Sequence, residues 1–458
     1  MKFITLFIVT SFMFGCSSFS GSSFKLPKYK EVRLSNGLTV LLIKDNKLPS
    51  FSMQMLVKAG SSDDPVTKSG LANFTGQMLD KGTIKRNALK IADDLGQLGA
   101  DFDVSVGLDY TIISSSSLSY HKDFLIDNFS EVLTQPLFSN SEINRLKTQT
   151  LAGIQNSVDH PSYLANVAFS SYLYGAHPYG KRSEGSSKDV KSIKKKNIIR
   201  FYRKYYRPNN AILAVIGKFD ESIVDQLESG LKNWTAQKIE KENFPKLNMA
   251  DSLQLQLVNK PGLKQSQIRI GEIGIDRHNK DFLNLRIANS ILGGAFYSRL
   301  MQEVRKKRGL TYSISSRFDA LKEEGPFTIA TFTRNDKVGE TVKATIDTLK
   351  QFKEKGVSKE EVEMAKNMII GQFPRAIETS EKLAFNLLIL RFYGIPDSYL
   401  SNFVANVEDI SVADVNQAIK EHIDTNKLKV LVFSPKATAL KQLRDIGIVE
   451  VKDYKEFL

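Results

Sequence analysis

Apolar and polar residues along the chain follow two rhythms. One is a period of about two, typical of half-buried strands; the other returns every three or four positions, as on one face of a helix. "GLTVLLIKD" (37–45) and "FSMQMLVKAG" (51–60) read as early strands, and "DFDVSVGLDYTIISSSSLS" (101–119) as two further alternating strands. Helical periodicity lies near 70–80, 88–98 and 122–134. In the second half, "QLQLVNKP" (254–261), "SQIRIGEIGI" (266–275), "LTYSISSRFD" (310–319) and "PFTIATFTR" (326–334) read as strands, with helices near 281–292 and 298–307. Adjacent strands with short connections predict an antiparallel sheet with helices on one side, an α+β layer pair.

The pattern repeats. "SNSEINRLKTQTLAGIQ" (139–155) echoes "VSKEEVEMAKNMIIGQ" (357–372), with Glu142 answering Glu361 at an offset of 361 − 142 = 219. "IIRFYRKYYRPNNAILAVIG" (198–217) answers "VNQAIKEHIDTNKLKVLVFS" (415–434) at 415 − 198 = 217. Both members of the second pair read as an amphipathic helix, a turn containing Asn209 or Asn426, and a buried strand. Two homologous domains follow, 28–235 and 251–458. The polar stretch at 236–250 reads as the linker between them.

Composition changes this picture little. The 458 residues, 41% hydrophobic and 25% charged, suit a soluble protein of more than one domain. A net charge of +14 is compatible with acidic partners or anionic lipid, and equally with a solvated basic surface. The lysines of "KDVKSIKKKN" (188–197) have no interleaved aromatics, as a nucleic-acid platform would. The start differs in kind. "MKFITLFIVTSFMFGC" has one lysine, a short apolar run and then Gly15-Cys16, and no other cysteine follows. Residues 1–15 read as a lipoprotein signal peptide, Cys16 as the lipidated residue and 16–27 as a flexible tether. Ser17 after the cysteine resembles sorting to the outer membrane.

Candidate chemistry centres on "GLANFTGQMLDKGT" (70–83). Asn73 and Gln77 stand four apart, on one face of a helix. That spacing usually serves two zinc-binding histidines, with a glutamate directly before the second as general base. Here the three slots hold Asn73, Gly76 and Gln77. The five histidines, at 121, 160, 177, 278 and 422, include no pair at metal-binding spacing. His177 in "HPYG" suits a packed or capping role.

In order, "LSNGLTVLLIKDNKLPSFSMQMLVKAGS", "GLANFTGQMLDKGT", "HPYGKRSEG", "FYRKYYRPNNAILAVIGKFD" and "SILGGAFYSRLMQEVRKKRGLTYSISS" resemble landmarks of the pitrilysin/insulinase (inverted-zincin) metallopeptidases. The similarity runs from about residue 30 to the C-terminus and includes the duplication. It implies two homologous α+β domains facing each other as a clamshell. It also implies a zinc site of two histidines and a distal glutamate, leaving one coordination position for water. On this sequence the ligand positions fall at Asn73, Gln77 and Thr148, and the base at Gly76. An amide is a poor zinc ligand and glycine cannot accept a proton, so the expectation is no metal in this chain. An edge strand that pairs with substrate in the family carries Asp103 and Val104 here. In "RLMQEVRKKRGLTYS", Arg305 and Tyr312 match the family's arginine–tyrosine pair, which reaches a facing zinc site. The tyrosine would donate to the developing oxyanion, and the guanidinium would hold a substrate carbonyl or carboxylate.

The resemblance therefore implies the non-zinc-binding subunit of an exported, two-chain peptidase. Its partner would be a homologue bearing His-x-x-Glu-His, its substrate a peptide and its anchor a lipid in the membrane. No nucleic-acid partner is expected. A non-catalytic scaffold or peptide-binding protein is the alternative; a self-contained protease is a third.

Overall fold

The computed structural model describes residues 26–240, 244–247 and 249–458; the signal segment and Cys16 lie outside the described residues. Each half forms a six-stranded sheet. The first contains β1 (Lys30–Arg33), β2 (Thr39–Lys44), β3 (Ser50–Val57), β4 (Asp101–Val106), β5 (Thr111–Leu118) and β6 (Ala211–Gly217). The second contains β7 (Gln254–Asn259), β8 (Gln265–Ile273), β9 (Ile314–Phe318), β10 (Pro326–Arg334), β11 (Lys429–Ser434) and β12 (Val449–Asp453). The strand orders are β1-β2-β6-β3-β5-β4 and β12-β7-β11-β8-β10-β9, identical once the outer strands β1 and β12 are set aside. The sheets are largely antiparallel. The exceptions are β2 with β6, and β7 with both β11 and β12. β6 and β11 each return after a long helical excursion, and such a crossover can enter a sheet parallel to an earlier strand.

"AILAVIG" (211–217) shows what the sheets bury. All seven residues are buried, so the strand reads as a continuous apolar run rather than an alternation. Ala211, Leu213 and Val215 face the core beneath their own domain's helices. Ile212, Ala214 and Ile216 face the other way, into a core shared with the second domain.

That second cover comes from exchanged helices. Pro161–Tyr174, in the first half, lays Leu164, Ala168 and Phe169 against Leu431 and Phe433 of β11. Ser380–Tyr393, in the second half, packs across β3 and β6 of the first sheet. The two helices start 380 − 161 = 219 residues apart, the offset of the sequence repeat. The sequence predicts helices on one side of each sheet; the other domain supplies a further cover on the opposite side.

Polar contacts stitch the same seam. Arg269 on β8 is buried, yet each of its N–H groups finds a neutral acceptor. Nε donates to Asn166 Oδ1 at 2.6 Å, Nη2 to the carbonyl and hydroxyl of Ser162 at 3.0 and 2.9 Å, and Nη1 to the carbonyls of Ile268 and Thr331. Burial pulls its pKa down to about 10. At the other seam, Arg391 pairs with Asp397 at 2.6 Å and with Glu31 of β1 at 3.1 Å.

Candidate functional site

The helix that carries the metal-motif slots is short, Leu71–Gln77. Gly70 starts it at φ 89°, where a Cβ would lie 2.5 Å from the Glu184 carbonyl, so both backbone angle and space require glycine. Asp64 caps the first turn, accepting from the amides of Gly70 and Ala72 at 2.7 Å each. Burial pushes the Asp64 carboxyl up to about 8, against the pull of those two amides. Leu71, Ala72 and Phe74 enter the core, leaving Asn73 and Gln77 half-buried.

The slots are occupied by packing. Gln77 Nε2 donates to the carbonyl of Val104 on the edge strand β4 at 2.9 Å. A Cβ at Gly76 would meet Val106 Cγ2 at 2.8 Å, Val104 Cγ1 at 3.0 Å and the Tyr206 hydroxyl at 3.4 Å. Tyr206 is itself fixed: its ring stacks on Tyr202, centroids 5.5 Å apart, and its carbonyl accepts from Trp234 Nε1 at 2.9 Å. Thr148, where a distal glutamate would stand, is exposed on the Asn140–Asn156 helix and donates to the Asn144 carbonyl at 3.1 Å. Two amides, a glycine and a back-bonded hydroxyl do not make a zinc donor set. On β4, Asp103 is exposed while Val104 turns inward against Gly76.

The histidines are dispersed. His177 is buried among Tyr174, Tyr179 and Phe244, and its Nδ1 accepts from the Tyr179 amide at 3.2 Å, capping the Pro178–Gly180 turn. Burial lowers its pKa, which suits a neutral capping acceptor. Among the described residues, one metal-competent group exists: Asp281, Glu421 and His422, with ligand atoms within 4.8 Å of one another. It lies in the second domain, away from the motif helix. His422 Nε2 already bonds Asp281 at 2.9 Å, and Glu421 accepts from Gln417.

Arg305 and Tyr312 sit in the second domain on an unusual piece of backbone. Ser290–Gly294 and Met301–Lys307 are π-helical, and Arg305 belongs to the latter. A Cβ at Gly293 would meet the Ser316 amide nitrogen at 2.6 Å, so glycine lets the first π-turn press against β9. The Arg305 guanidinium lies 5.0 Å from the centroid of the Phe296 ring, and Phe296 is 75% exposed. Tyr312 is 79% exposed. It stands in the bend before β9, outside the strand that its alternating surroundings suggest. Thr311 fixes this neck: its hydroxyl donates to the Ser313 carbonyl at 2.9 Å and accepts from the Ser313 amide at 3.1 Å. Among the described residues, no hydrogen bond, ion pair or ring contact joins Arg305 or Tyr312 to Asn73 or Gln77. Phe296 is not singled out by the sequence; its only signal is the aromatic pair Phe296-Tyr297, one residue beyond Gly293-Gly294.

Comparison with known proteins adds a family context. Residues 39–185 match the family model described as insulinase (peptidase family M16), and residues 192–369 match the one described as peptidase M16 inactive domain. An "uncharacterized zinc protease" of Rickettsia felis is 28% identical over 407 residues, 86% of this chain and 96% of that protein. The "non-peptidase homolog YmxG" of Helicobacter pylori is 24% identical, spanning 87% of this chain and 92% of that protein. A crystal structure of a peptidase M16 inactive domain from Pseudomonas fluorescens superposes with a TM-score of 0.82 at 28% identity, covering 89% of this chain and 98% of that one. A Helicobacter pylori protease structure, at 20% identity, shares the fold with a TM-score of 0.81 over 90% of this chain and 100% of that one.

Proposed function

Because the chain belongs to the insulinase (M16) peptidase family and its motif helix lacks the zinc ligands, we propose that it is the non-zinc-binding subunit of a two-chain metallopeptidase. A homologous subunit bearing His-x-x-Glu-His would bring the zinc and the general base; this chain supplies Arg305 and Tyr312. One observation carries the reading. The general-base slot at Gly76 is closed by Val104, Val106 and Tyr206, whereas Tyr312 projects 79% exposed from a fixed neck in the second domain. A tyrosine this exposed is available to act on something outside its own chain.

In this reading Tyr312 donates its phenolic proton to the oxyanion that forms on the scissile carbonyl. Arg305, steadied on Phe296, presents a planar fork to a substrate carbonyl or carboxylate. The substrate is a peptide. We place the complex outside the cytoplasm, held by a lipid on Cys16 and most consistent with the outer membrane, since Gly15-Cys16-Ser17 follows the apolar export signal. Among the described residues, no helix is long and apolar enough to cross a membrane.

The test is affinity isolation of the tagged chain from membranes, identification of what accompanies it, and a peptidase assay on each component and on the pair. Chelator-sensitive cleavage by the pair, absent from this chain alone, is the expected result. Chelator-sensitive cleavage by this chain alone would sink the proposal.

A further inference from the structure

The Lys195–Tyr205 helix buries Ile198, Phe201 and Tyr205 and turns a cationic stripe outward. Lys196, Arg200 and Arg203, continued by Arg207 just past the helix end, follow the four-three-four spacing that aligns side chains on one face. Lys196, Arg200 and Arg203 are exposed. Among the described residues, none of these three side chains makes a hydrogen bond or ion pair. Like charges at this spacing oppose the helix by a few tenths of a kcal/mol per pair, so the stripe does not serve folding.

The stripe forms one wall of a trough of about 740 Å³, whose other wall is Gln237–Glu240 of the linker. Ile199 and Ile239 contribute apolar surface between the walls. At 1.5 Å per residue, the stripe from 196 to 207 runs for roughly 16 Å, the length of about five residues of extended chain. Successive outward side chains of such a chain lie about 7 Å apart, against about 5.5 Å between successive cations. The long flexible cationic side chains can span that difference, and the intervening side chains of the bound chain face the apolar floor.

We infer that this trough binds an extended acidic segment of another polypeptide, in which carboxylates alternate with apolar side chains. A flat anionic bilayer matches the charge but not the concavity. The site is separate from the motif helix slots and from Arg305 and Tyr312, so it stands whether or not the chain completes a peptidase.

The probe is a fluorescent peptide of about a dozen residues alternating glutamate and valine, against the same peptide with glutamine for glutamate. Binding to the full chain in neutral detergent is followed by anisotropy at low and high salt. The glutamate peptide should bind with an affinity that falls as salt rises. The K196Q/R200Q/R203Q variant should weaken it about tenfold or more. These exposed substitutions should leave the circular dichroism spectrum unaltered and the melting temperature of the chain no lower, separating lost binding from lost folding. Equal binding of the glutamine peptide, or undiminished binding by the triple variant, would overturn the inference. So would phosphatidylglycerol vesicles that require the three residues when the peptide does not bind.

Discussion

At position 76 glycine leaves no group to accept a proton, and the space a side chain would need is already taken. Gly76→Glu brings a Cβ within 2.8 Å of Val106 and 3.0 Å of Val104, so it should cost about 1–3 kcal/mol by overpacking. The triple change Asn73→His, Gly76→Glu, Gln77→His should therefore lower the melting temperature. It should also fail to retain zinc after dialysis, since Thr148 offers no distal carboxylate; one zinc per chain retained specifically by this variant would contradict the reading. Tyr312 behaves in the opposite way. Being 79% exposed, it can lose its hydroxyl without a folding cost, and Tyr312→Phe should leave stability and complex formation intact. Turnover of the pair should nevertheless fall about a hundredfold to a thousandfold, the effect of losing one oxyanion donor. Unchanged kcat in an intact complex would favour the scaffold alternative. A third residue, Glu272 on β8, accepts from the Asp424 amide at 2.9 Å, and burial pushes its carboxyl from 4.5 up to about 7. The folded chain thus holds this proton more tightly than the unfolded chain does. Stability from this group is greatest below about pH 4.5, declines through the interval up to about pH 7, and stays reduced above it. Glu272→Gln should raise the melting temperature at pH 8, by about 1–3 kcal/mol in stability, with little effect near pH 4. An equal change at both pH values would show that the carboxyl is not titrating as described.

Among the elements, the exchanged helices hold most of the consequence. Leu164 and Leu387, one on each exchanged helix, are both wholly buried. Leu164→Ala and Leu387→Ala should each cost about 2–5 kcal/mol. Each should also lower a single unfolding transition instead of splitting it, as differential scanning calorimetry would record. These helices show where the sequence stops being legible. "PSYLANVAFSSYLY" (161–174) presents apolar residues toward its own domain and toward a foreign sheet, so its pattern cannot say whose strands it covers. Strands with one buried face, such as β5 with its regular alternation, are readable locally. β1, the four residues Lys30–Arg33, carries no such rhythm because it is a largely exposed edge. The same division holds at the site. The lost zinc slots are visible as spacing within one helix. The valines that close the space at Gly76 arrive on β4 and Tyr206 arrives after the Lys195–Tyr205 helix, so their meeting there is a tertiary fact. Tyr312 sits in "LTYSISS", which alternates like a strand. A hydroxyl-locked bend at Thr311 holds it off the sheet, and no period reveals that.

For the whole molecule, the exchange makes the two domains interdependent although each has its own sheet. Without residues 251–458, the first sheet loses Ser380–Tyr393 and exposes Ile212, Ala214, Ile216, Leu41 and Ile43. Without residues 28–235, the second loses Pro161–Tyr174 and exposes Leu431 and Phe433, while Arg269 loses its partners Asn166 and Ser162. Each isolated half would present a contiguous apolar sheet face, the kind of surface that soluble monomers rarely tolerate. The second would also leave a buried guanidinium without part of its neutral cage, a desolvation loss not easily recovered. Expressed alone, residues 26–235 and 251–458 should therefore aggregate or remain loosely folded. Co-expressed, they should assemble into a one-to-one complex that melts near the temperature of the intact chain. Size-exclusion chromatography and circular dichroism of each half and of the mixture measure this directly. A half that is monomeric and melts cooperatively by itself would show that the exchanged helix is an accessory. The consequence reaches the proposed function. If the halves cannot part, opening the chain is not a route by which Tyr312 reaches the first domain, which agrees with the proposal that another molecule supplies its target.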